Sequence, residues 1–389
     1  MIFVEATKDG GEVRYRDSKR YLWWLSVAAP SLPGIAGLAL MLGGHVAWAA
    51  FPMLFYFVAI PALDALIGED TNNPPEAVVE ALSSDNYYRA LLYCTIPVLY
   101  LSFLIAAAAA ATVAMPVWAY VMLALGAGSA AGVALTVGHE LGHKTNAPDR
   151  WASKIACALT AYSHFCIEHN RGHHTEVATP EDPASARLGE SIYRFALREI
   201  PGTARRGWRL ERMRLERKGL PFWHWRNDLL QGYAIAVVIA VVLIALIGPA
   251  VVPFIVIHHV FGWYQLTQAN YVEHYGLKRQ RREDGRYEPV EPRHSWNTNH
   301  ILSNLMLFHL QRHSDHHTNP LRPYQALRDF ADLPRLPSGY PGCFALASLP
   351  PLWRRVMDPK VAAWAGGVIE NANVQPGMER RYAAMFAAR

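Results

Sequence analysis

The chain has 389 residues, a formal net charge of +5 and 52% hydrophobic residues, and its charges are concentrated in separate blocks. This distribution does not fit two or three ordinary soluble domains. Because the four cysteines form no Cys-x-x-Cys pair, they exclude a disulfide framework, a zinc ribbon and a built-in electron-transfer module with cysteine ligands. The 17 histidines are numerous for one chain, and most of them fall in groups.

Residues 1–20 are predicted to form a cytoplasmic tail without a secretory signal, because they are charged and contain no apolar core. Basic residues directly before a membrane span stay on the cytoplasmic side. In this tail they are Lys8, Arg14, Arg16, Lys19 and Arg20. Two apolar segments follow at 21–42 and 46–67, each of roughly the twenty residues that a bilayer requires. They predict a helical hairpin.

Four further spans are predicted at 88–108, 115–137, 229–247 and 251–270. The short turns between paired spans contain no Lys or Arg, whereas the long polar segments are rich in Arg. By the positive-inside rule, these segments and both chain ends lie in the cytoplasm. The sequence thus predicts an all-α integral membrane protein, with a six-transmembrane-helix bundle and a cytoplasmic helical, histidine-rich domain. Its parts are spans 1–4 in 21–137, spans 5 and 6 in 229–276, and cytoplasmic segments at 138–228 and 277–389.

Nine histidines form four groups on the predicted cytoplasmic side of the spans. The groups are His139 and His143; His169, His173 and His174; His274; and His313, His316 and His317. Histidines four apart lie about 40° apart around a helix, so both can reach one metal ion.

The spacing within the larger groups predicts how the imidazoles are shared between metals. In a regular helix His169 and His173 share a face, and His174 points about 140° away from His169. Either that helix ends or the group divides between two metals. His313, His316 and His317 are expected on one face. Nine imidazoles exceed the capacity of one ion, so two ions fit.

Imidazole ligands suit zinc, copper, iron or nickel. Zinc would bind four ligands, or three and a water, and leave most of these histidines unused. A carboxylate di-iron bundle needs two Glu-x-x-His pairs, and only Glu140 and His143 form one among the grouped histidines. A histidine-rich di-iron site beneath the membrane remains, which suggests O₂ activation for attack on a lipophilic substrate. Carboxylates that could orient the ligands, or bind iron directly, are Glu140, Glu168, Glu273 and Asp315.

Two other classes of protein compete with this interpretation. His139-Glu140-x-x-His143 alone is the zinc-protease signature, with Glu140 as general base; the seven further grouped histidines count against it. A metal transporter would need ligands at the middle of the bilayer. Outside the groups, His45, His224, His258 and His259 are interpreted as structural, and the remaining histidines as packing or orienting groups: His164, His294, His300 and His309. Of these, His309 is placed to orient His313.

The four histidine motifs resemble the signature motifs of the integral-membrane alkane monooxygenases. They read His-Glu-Leu-Gly-His-Lys from His139, Glu-His-Asn-Arg-Gly-His-His from Glu168, Asn-Tyr-Val-Glu-His-Tyr-Gly from Asn270 and Leu-Gln-Arg-His-Ser-Asp-His-His from Leu310. The similarity extends from Asn72-Asn73-Pro74-Pro75-Glu76 to Pro320-x-Arg322-x-Tyr324-Gln325, nearly the whole chain. Membrane desaturases and xylene monooxygenases share three of the motifs, and the His-Tyr-Gly motif narrows the resemblance.

The resemblance implies O₂-dependent hydroxylation of n-alkanes to 1-alkanols. It implies two irons held by the nine histidines, with electrons from rubredoxin and an NADH-dependent reductase. Flavin, haem or NAD bound by this chain, and a nucleic-acid partner, are not expected. The implied location is the inner (cytoplasmic) membrane of a bacterium, in contact with membrane lipid and with the site facing the cytoplasm. A desaturase or a hydroxylase of another lipid is the alternative within this class.

The resemblance also implies a substrate channel between the spans that ends above the irons. Candidate channel residues on the second span are Phe55, Tyr56, Phe57 and Asp64. An acid inside a span is a functional candidate, although Asp64 could instead snorkel to the interface. A basic helical stretch could dock an acidic redox protein or contact anionic lipid headgroups. It consists of Arg205, Arg206, Arg209, Arg212, Arg214, Arg217 and Lys218.

Overall fold

The computed structural model describes residues 1–6 and 11–387, so Lys8 of the predicted basic tail lies outside the described residues. A β-hairpin occupies the segment that the sequence marks only as a charged tail. Its strands, Phe3–Ala6 and Glu12–Tyr15, pair antiparallel with Phe3 opposite Tyr15. Phe3 is buried and joins the hydrophobic core. The hairpin is therefore anchored to the helical body by an apolar side chain.

Six helices in the described part of the chain are long and apolar enough to cross a membrane, which confirms the predicted helical bundle. They are Trp24–Met41, Val46–Ile67, Asn86–Thr112, Val117–Gly142, Asp228–Ile247 and Pro249–His274, called here the first to sixth spans. The fourth and sixth spans continue past their apolar segments to include His139 and His274. Hydropathy falls at the first polar residue, but the backbone hydrogen bonds of the helix continue through it. The last turn of each span thus carries ligand candidates.

The fourth span lies at the centre of the bundle and packs closely against the sixth. A Cβ atom at Gly128 would lie 2.9 Å from the carbonyl oxygen of His258, and one at Gly132 would lie 3.1 Å from Cβ of Gln265. Small residues at this spacing allow the backbones of two spans to approach each other. The contact fixes the relative position of the spans that end in His139 and His274.

The second span changes its helical geometry midway. A π-helical turn, Phe55–Ala59, lies between the α-helical segments Phe51–Leu54 and Ile60–Ile67. Pro61 follows this turn and has no N–H group to donate to the preceding turn, which favours such an irregularity. The π turn is wider than an α-helical turn, and it determines which of the aromatic residues at 55–57 face the bundle interior.

Polar helices form the rest of the structure. The α-helices are Val79–Ser84, Ala147–Ala158, Phe165–Glu168, His174–Glu176, Ile192–Glu216, Ile301–Met306, His313–Thr318, Tyr340–Ala347, Pro350–Trp364 and Glu379–Ala387. The π turn His169–His173 joins two of them, and 3₁₀ turns occur at Glu76–Val78, Pro292–His294, Tyr324–Ala326 and Ile369–Asn371. Side-chain caps begin two of the longer ones: Asn146 accepts a hydrogen bond from the Asp149 amide, and Ser191 accepts one from the Arg194 amide.

Candidate metal centre

The four histidine motifs meet at one end of the bundle and divide into two buried clusters. Cluster A comprises His139, His143, His169, His174 and His316. Cluster B comprises His173, His274, His313 and His317. Within each cluster one nitrogen from every ring lies within 4.8 Å of the others. All nine predicted ligands are therefore brought together from four separate parts of the chain.

The second motif is distributed differently from the sequence expectation. His169 and His174 share cluster A, with their Nε2 atoms 3.0 Å apart, whereas His173 belongs to cluster B. The reason is the π turn at His169–His173, where the wider turn aligns residues five apart instead of four apart. Of the two alternatives, the structure shows division between two clusters, and the pairing of His169 with His173 that a regular helix would give is wrong.

The fourth motif also divides. His316 joins cluster A while His313 and His317 join cluster B, and the three rings lie beside one another, as the predicted common face requires. The short helix His313–Thr318 lies between the two clusters and presents imidazoles to both. The backbone breaks before it, since Phe308 and His309 adopt φ values of 50° and 52°. This break turns His309 onto the Trp23 ring, where its Nδ1 hydrogen bonds to the carbonyl of Tyr324; the predicted contact with His313 is not formed.

The nitrogen positions fit metal coordination. In cluster A, Nε2 of His316 lies 2.8 Å from Nε2 of His139 and 3.1 Å from Nε2 of His174. Two ligands at right angles, each about 2.1 Å from an ion, lie about 3.0 Å apart. Among the described residues, no hydrogen-bond partner reaches the buried Nε2 atoms of His143, His173 and His274. Buried nitrogens without partners, converging at this spacing, are what a metal site requires.

Burial favours the neutral form of six of these imidazoles, which is the form that binds metals. Burial lowers the pKa of each clustered histidine outside the spans for which a shift is resolved, and neighbouring imidazoles lower it further. These are His143, His169, His174, His313, His316 and His317. These six rings thus offer nitrogen lone pairs rather than protons.

Two histidines of cluster B are oriented by hydrogen bonds that their Nδ1 atoms make. His173 donates from Nδ1 to Asp182 at 2.9 Å, and His274 donates from Nδ1 to the carbonyl of His294 at 3.2 Å. Such bonds fix the tautomer and direct Nε2 towards a metal. Sequence reasoning missed Asp182, because an acid between prolines in a loop has no periodic signal. Its signal in the sequence is the segment Pro180-Glu181-Asp182-Pro183, which is part of the family resemblance.

Asp182 belongs to a buried ion network centred on Arg206. This guanidinium donates to Asp182 at 2.7 Å, to Glu168 at 2.7 Å and to Glu176. Burial raises the pKa of Glu168 to about 8, although Arg206 opposes the shift. Burial also acts to raise the pKa of Asp182, but His173 and Arg206 outweigh it and hold this pKa well below its usual range. The network connects the helix Ile192–Glu216 to the second motif.

This network corrects the predicted basic surface. Arg206 is 5% exposed and does not face the solvent, and Arg214 is paired with the buried Glu211. The remaining members of the stretch are exposed: Arg205, Arg209, Arg212, Arg217 and Lys218.

The four predicted carboxylates occupy different positions. Glu273 approaches a clustered imidazole, with Oε2 at 3.2 Å from Nε2 of His313, and accepts a hydrogen bond from Tyr340 at 2.7 Å. Glu168 pairs with Arg206, and Glu140 pairs with Lys144 at 3.0 Å. Asp315 accepts a hydrogen bond from the amide of Arg328 at 2.9 Å and so fixes the loop that follows its helix. Glu273 is the carboxylate best placed to bind a metal directly.

An apolar cavity lies between the clusters and the bundle. Its inner end is formed by His139 and His169 of cluster A and by His313 of cluster B, with Glu273 beside them. Apolar groups of the fourth span, of the sixth span and of the segments near Leu307 and Phe344 form its walls.

A second cavity shares five lining residues with the first and extends towards the second span. The shared residues are Ser129, Val133, Gln265, Leu307 and Phe344. Its far end is formed by Tyr56, Phe57 and Ile60. Phe55 and Asp64 are absent from the described linings of both cavities, against the prediction. Asp64 is fully buried elsewhere and accepts a hydrogen bond from the Ser303 amide at 3.1 Å, near the start of the helix Ile301–Met306.

Six apolar helices above two buried histidine clusters define an integral membrane metalloprotein. The sequence model of the fatty acid desaturase family matches residues 114–347. The chain is 51% identical to an alkane 1-monooxygenase of Ectopseudomonas oleovorans over 375 residues, 96% of this chain and 93% of the relative. It is 48% identical to alkane 1-monooxygenase 1 of Alcanivorax borkumensis over 381 residues, 98% and 94% of the two chains.

A xylene/toluene monooxygenase hydroxylase component of Pseudomonas putida is more distant, with 26% identity over 231 residues, 59% of this chain and 61% of the relative. The chain therefore belongs to the alkane 1-monooxygenase family, a family of oxidoreductases.

Proposed function

We propose that this protein hydroxylates the terminal carbon of n-alkanes with O₂ at two iron ions held by clusters A and B. One observation carries the proposal: imidazoles of both clusters form the inner end of an apolar cavity between membrane spans. A lipophilic chain in this cavity would lie with one end against the metal centre. Family membership supports n-alkanes as the substrate class.

Two irons bound here would supply the oxidising power that inserts one oxygen atom of O₂ into a C–H bond and releases the other as water. The chain's own residues set the conditions for this reaction. Mostly neutral imidazole ligands leave the metals with a high positive charge, which favours attack on an unactivated C–H bond. The apolar wall formed by Val133, Leu307 and Phe344 excludes water and lies along the substrate. A chain that extends from the second cavity into the first would present its end carbon rather than weaker internal C–H bonds.

Product analysis tests the proposal. Purified protein with rubredoxin, its reductase, NADH and n-alkanes of graded length should release 1-alkanols. Recovery of 2-alkanols would contradict terminal attack, and recovery of alkenes would favour the desaturase alternative. The zinc-protease alternative has little support, since cluster A offers five imidazoles where a protease holds two or three.

Tyr56 is proposed to limit the length of the alkane. Its ring is 8% exposed, lies at the far end of the second cavity and is fixed by a hydrogen bond to the carbonyl of Ala29 at 2.8 Å. Tyr56→Leu should shift the preferred substrate towards longer chains, because it removes both the ring and its anchor. The measurement is the profile of rates over graded n-alkanes. Phe55→Leu is the matched control, and an equal shift in both variants would refute the role of Tyr56.

We also propose that the protein lies in the inner (cytoplasmic) membrane with clusters A and B on the cytoplasmic side. The Arg-rich segments flank the histidine motifs, and the short turns at the other ends of the spans contain no Lys or Arg. A reporter that is active only in the cytoplasm should be active when fused after the sixth span. If the reporter is active only when it is fused within the turn at 43–45, the protein has the opposite orientation in the membrane.

Electrons are proposed to come from rubredoxin, which is reduced by an NADH-dependent reductase. The exposed part of the basic helix, including Arg205, Arg209 and Arg212, offers an acidic partner a complementary surface. The turnover rate at limiting rubredoxin should therefore fall as salt is added.

Charge reversal separates docking from lipid contact. Arg205→Glu with Arg209→Glu should raise the KM for rubredoxin, while Arg380→Glu on the C-terminal helix should not. If salt and both substitutions leave the rate unchanged, this surface does not bind the electron donor and lipid contact explains its charge.

A further inference from the structure

We propose that Cys157 and Cys166 form a redox modification site, a dithiol that hydrogen peroxide converts to a disulfide and thereby switches off cluster A. The two sulfur atoms lie 3.8 Å apart, on the helix Ala147–Ala158 and on the segment that leads into His169. Separate elements therefore present the thiols to each other. The modification itself is independent of the proposed function; only its effect on hydroxylation rests on it.

The two thiols lie against the helix that carries the first histidine motif. The position of a Cβ atom on Gly138 is filled by the sulfur of Cys157, and a Cβ on Gly142 would lie 2.9 Å from the sulfur of Cys166. These glycines flank His139. Cys166 also precedes His169 by three residues. Movement of either sulfur therefore acts on the backbone that positions cluster A.

The site is reachable from the solvent. Both cysteines line a polar cavity with exposed Arg150 at its edge. Lys154 also lines the cavity and forms an ion pair with Asp228 at 2.6 Å. The hydrogen bond with Cys157 lowers the pKa of the Cys166 thiol, and Ser153 and Lys154 lower it further against the effect of burial. A partly accessible thiol of lowered pKa with a second thiol beside it has the features of a redox-sensing cysteine.

The proposed oxidation is balanced by one peroxide. The sulfur of Cys166 attacks one oxygen of hydrogen peroxide, which breaks the O–O bond, forms a sulfenic acid and releases one water. The sulfur of Cys157 then attacks the sulfenic sulfur, forms the S–S bond and releases the second water. Two thiols are oxidised and one peroxide is reduced.

Disulfide formation would strain the site because the connecting turn is anchored. The sulfurs must approach from 3.8 Å to about 2.05 Å. The indole N–H of Trp263 donates a hydrogen bond to the carbonyl of Thr160 at 2.7 Å, and the hydroxyl of Tyr233 is hydrogen bonded to Nδ1 of His164 at 2.8 Å. Since both sides of the turn are fixed, we infer that the contraction displaces the glycine face of the fourth span. A displacement of His139 and His169 of about 1 Å would lower the rate by about tenfold or more.

Peptide mapping of the membrane-embedded holoenzyme tests the modification directly. Trypsin cleavage after Lys154 and Arg171 gives one peptide, 155–171, that contains both cysteines. Before peroxide treatment both cysteines of this peptide should be alkylated. After peroxide the peptide should accept no alkyl group and should have the mass of an internal disulfide. Dithiothreitol should then restore alkylation of both cysteines. Continued alkylation after peroxide, or only sulfinic and sulfonic acids, would overturn the proposal.

Activity measurements test the consequence. Peroxide should lower the hydroxylation rate of the native protein by about tenfold, and dithiothreitol should restore it. Cys166→Ser and Cys157→Ala should each resist this loss, and the second covers the case in which the first does not fold. Cys94→Ser, at an exposed thiol of the third span, is the matched control and should respond like the native protein. Equal loss in all three variants would overturn the switch even if the disulfide forms.

Discussion

A His316→Ala variant will bind about one iron per chain instead of two and will lose nearly all hydroxylation activity. Its Nε2 atom lies within hydrogen-bond distance of Nε2 of both His139 and His174, so it is central to cluster A. Cluster B contains none of the nitrogens of cluster A and should keep its ion. Loss of a partner that only orients a ligand typically costs about 10- to 100-fold, and loss of the ligand itself should cost more.

Iron content and turnover of the purified variant are the measurements. His300→Ala is the matched control, because His300 lies outside both clusters and bonds to Thr298. The control should keep both irons and most of the activity. A His316→Ala protein with two irons and an unchanged rate would remove His316 from the metal centre.

Arg206→Met will destabilise the folded protein by about 3–5 kcal/mol, because it leaves buried carboxylates without their cation. Asp182 and Glu168 are 1% and 3% exposed, so water cannot replace the guanidinium. Asp182 also orients His173, and we therefore expect a second effect, weaker binding of the metal at cluster B. Arg206→Lys should rescue the stability only in part, since an ammonium group cannot reproduce the forked contacts of a guanidinium.

The measurement is unfolding of the lipid-embedded protein, with Arg209→Met as the matched control on the exposed face of the same helix. The control should unfold within about 0.5 kcal/mol of the native protein. Equal stability of Arg206→Met and Arg209→Met would show that the buried network contributes little to the fold.

The bundle could be predicted from the sequence because each span is an apolar segment of bilayer length. Hydropathy could not give the ends of the fourth and sixth spans, which continue as helix through polar residues as far as Gly142 and His274. The aromatic positions on the second span also depended on a local irregularity. The π turn Phe55–Ala59 brings Tyr56 and Phe57 to the cavity but not Phe55.

The sequence indicated which residue types form the metal centre, but not how they are arranged in the two clusters. Spacing rules assume a regular α-helix, whereas a π turn shapes the second motif and a backbone break at Phe308 and His309 precedes the fourth. Tertiary packing sets both irregularities, so sequence periodicity could not allocate the histidines between the clusters. The burial of Arg206 could not be predicted either, because a run of arginines on one helix does not show which of them is buried.

Metal analysis of the purified wild-type protein is the most direct test of the central claim, that nine imidazoles hold a pair of irons at the inner end of a lipophilic cavity. Two irons per chain, with negligible zinc, is the predicted result. One zinc per chain, or one iron that is lost completely when either cluster is altered, would contradict it.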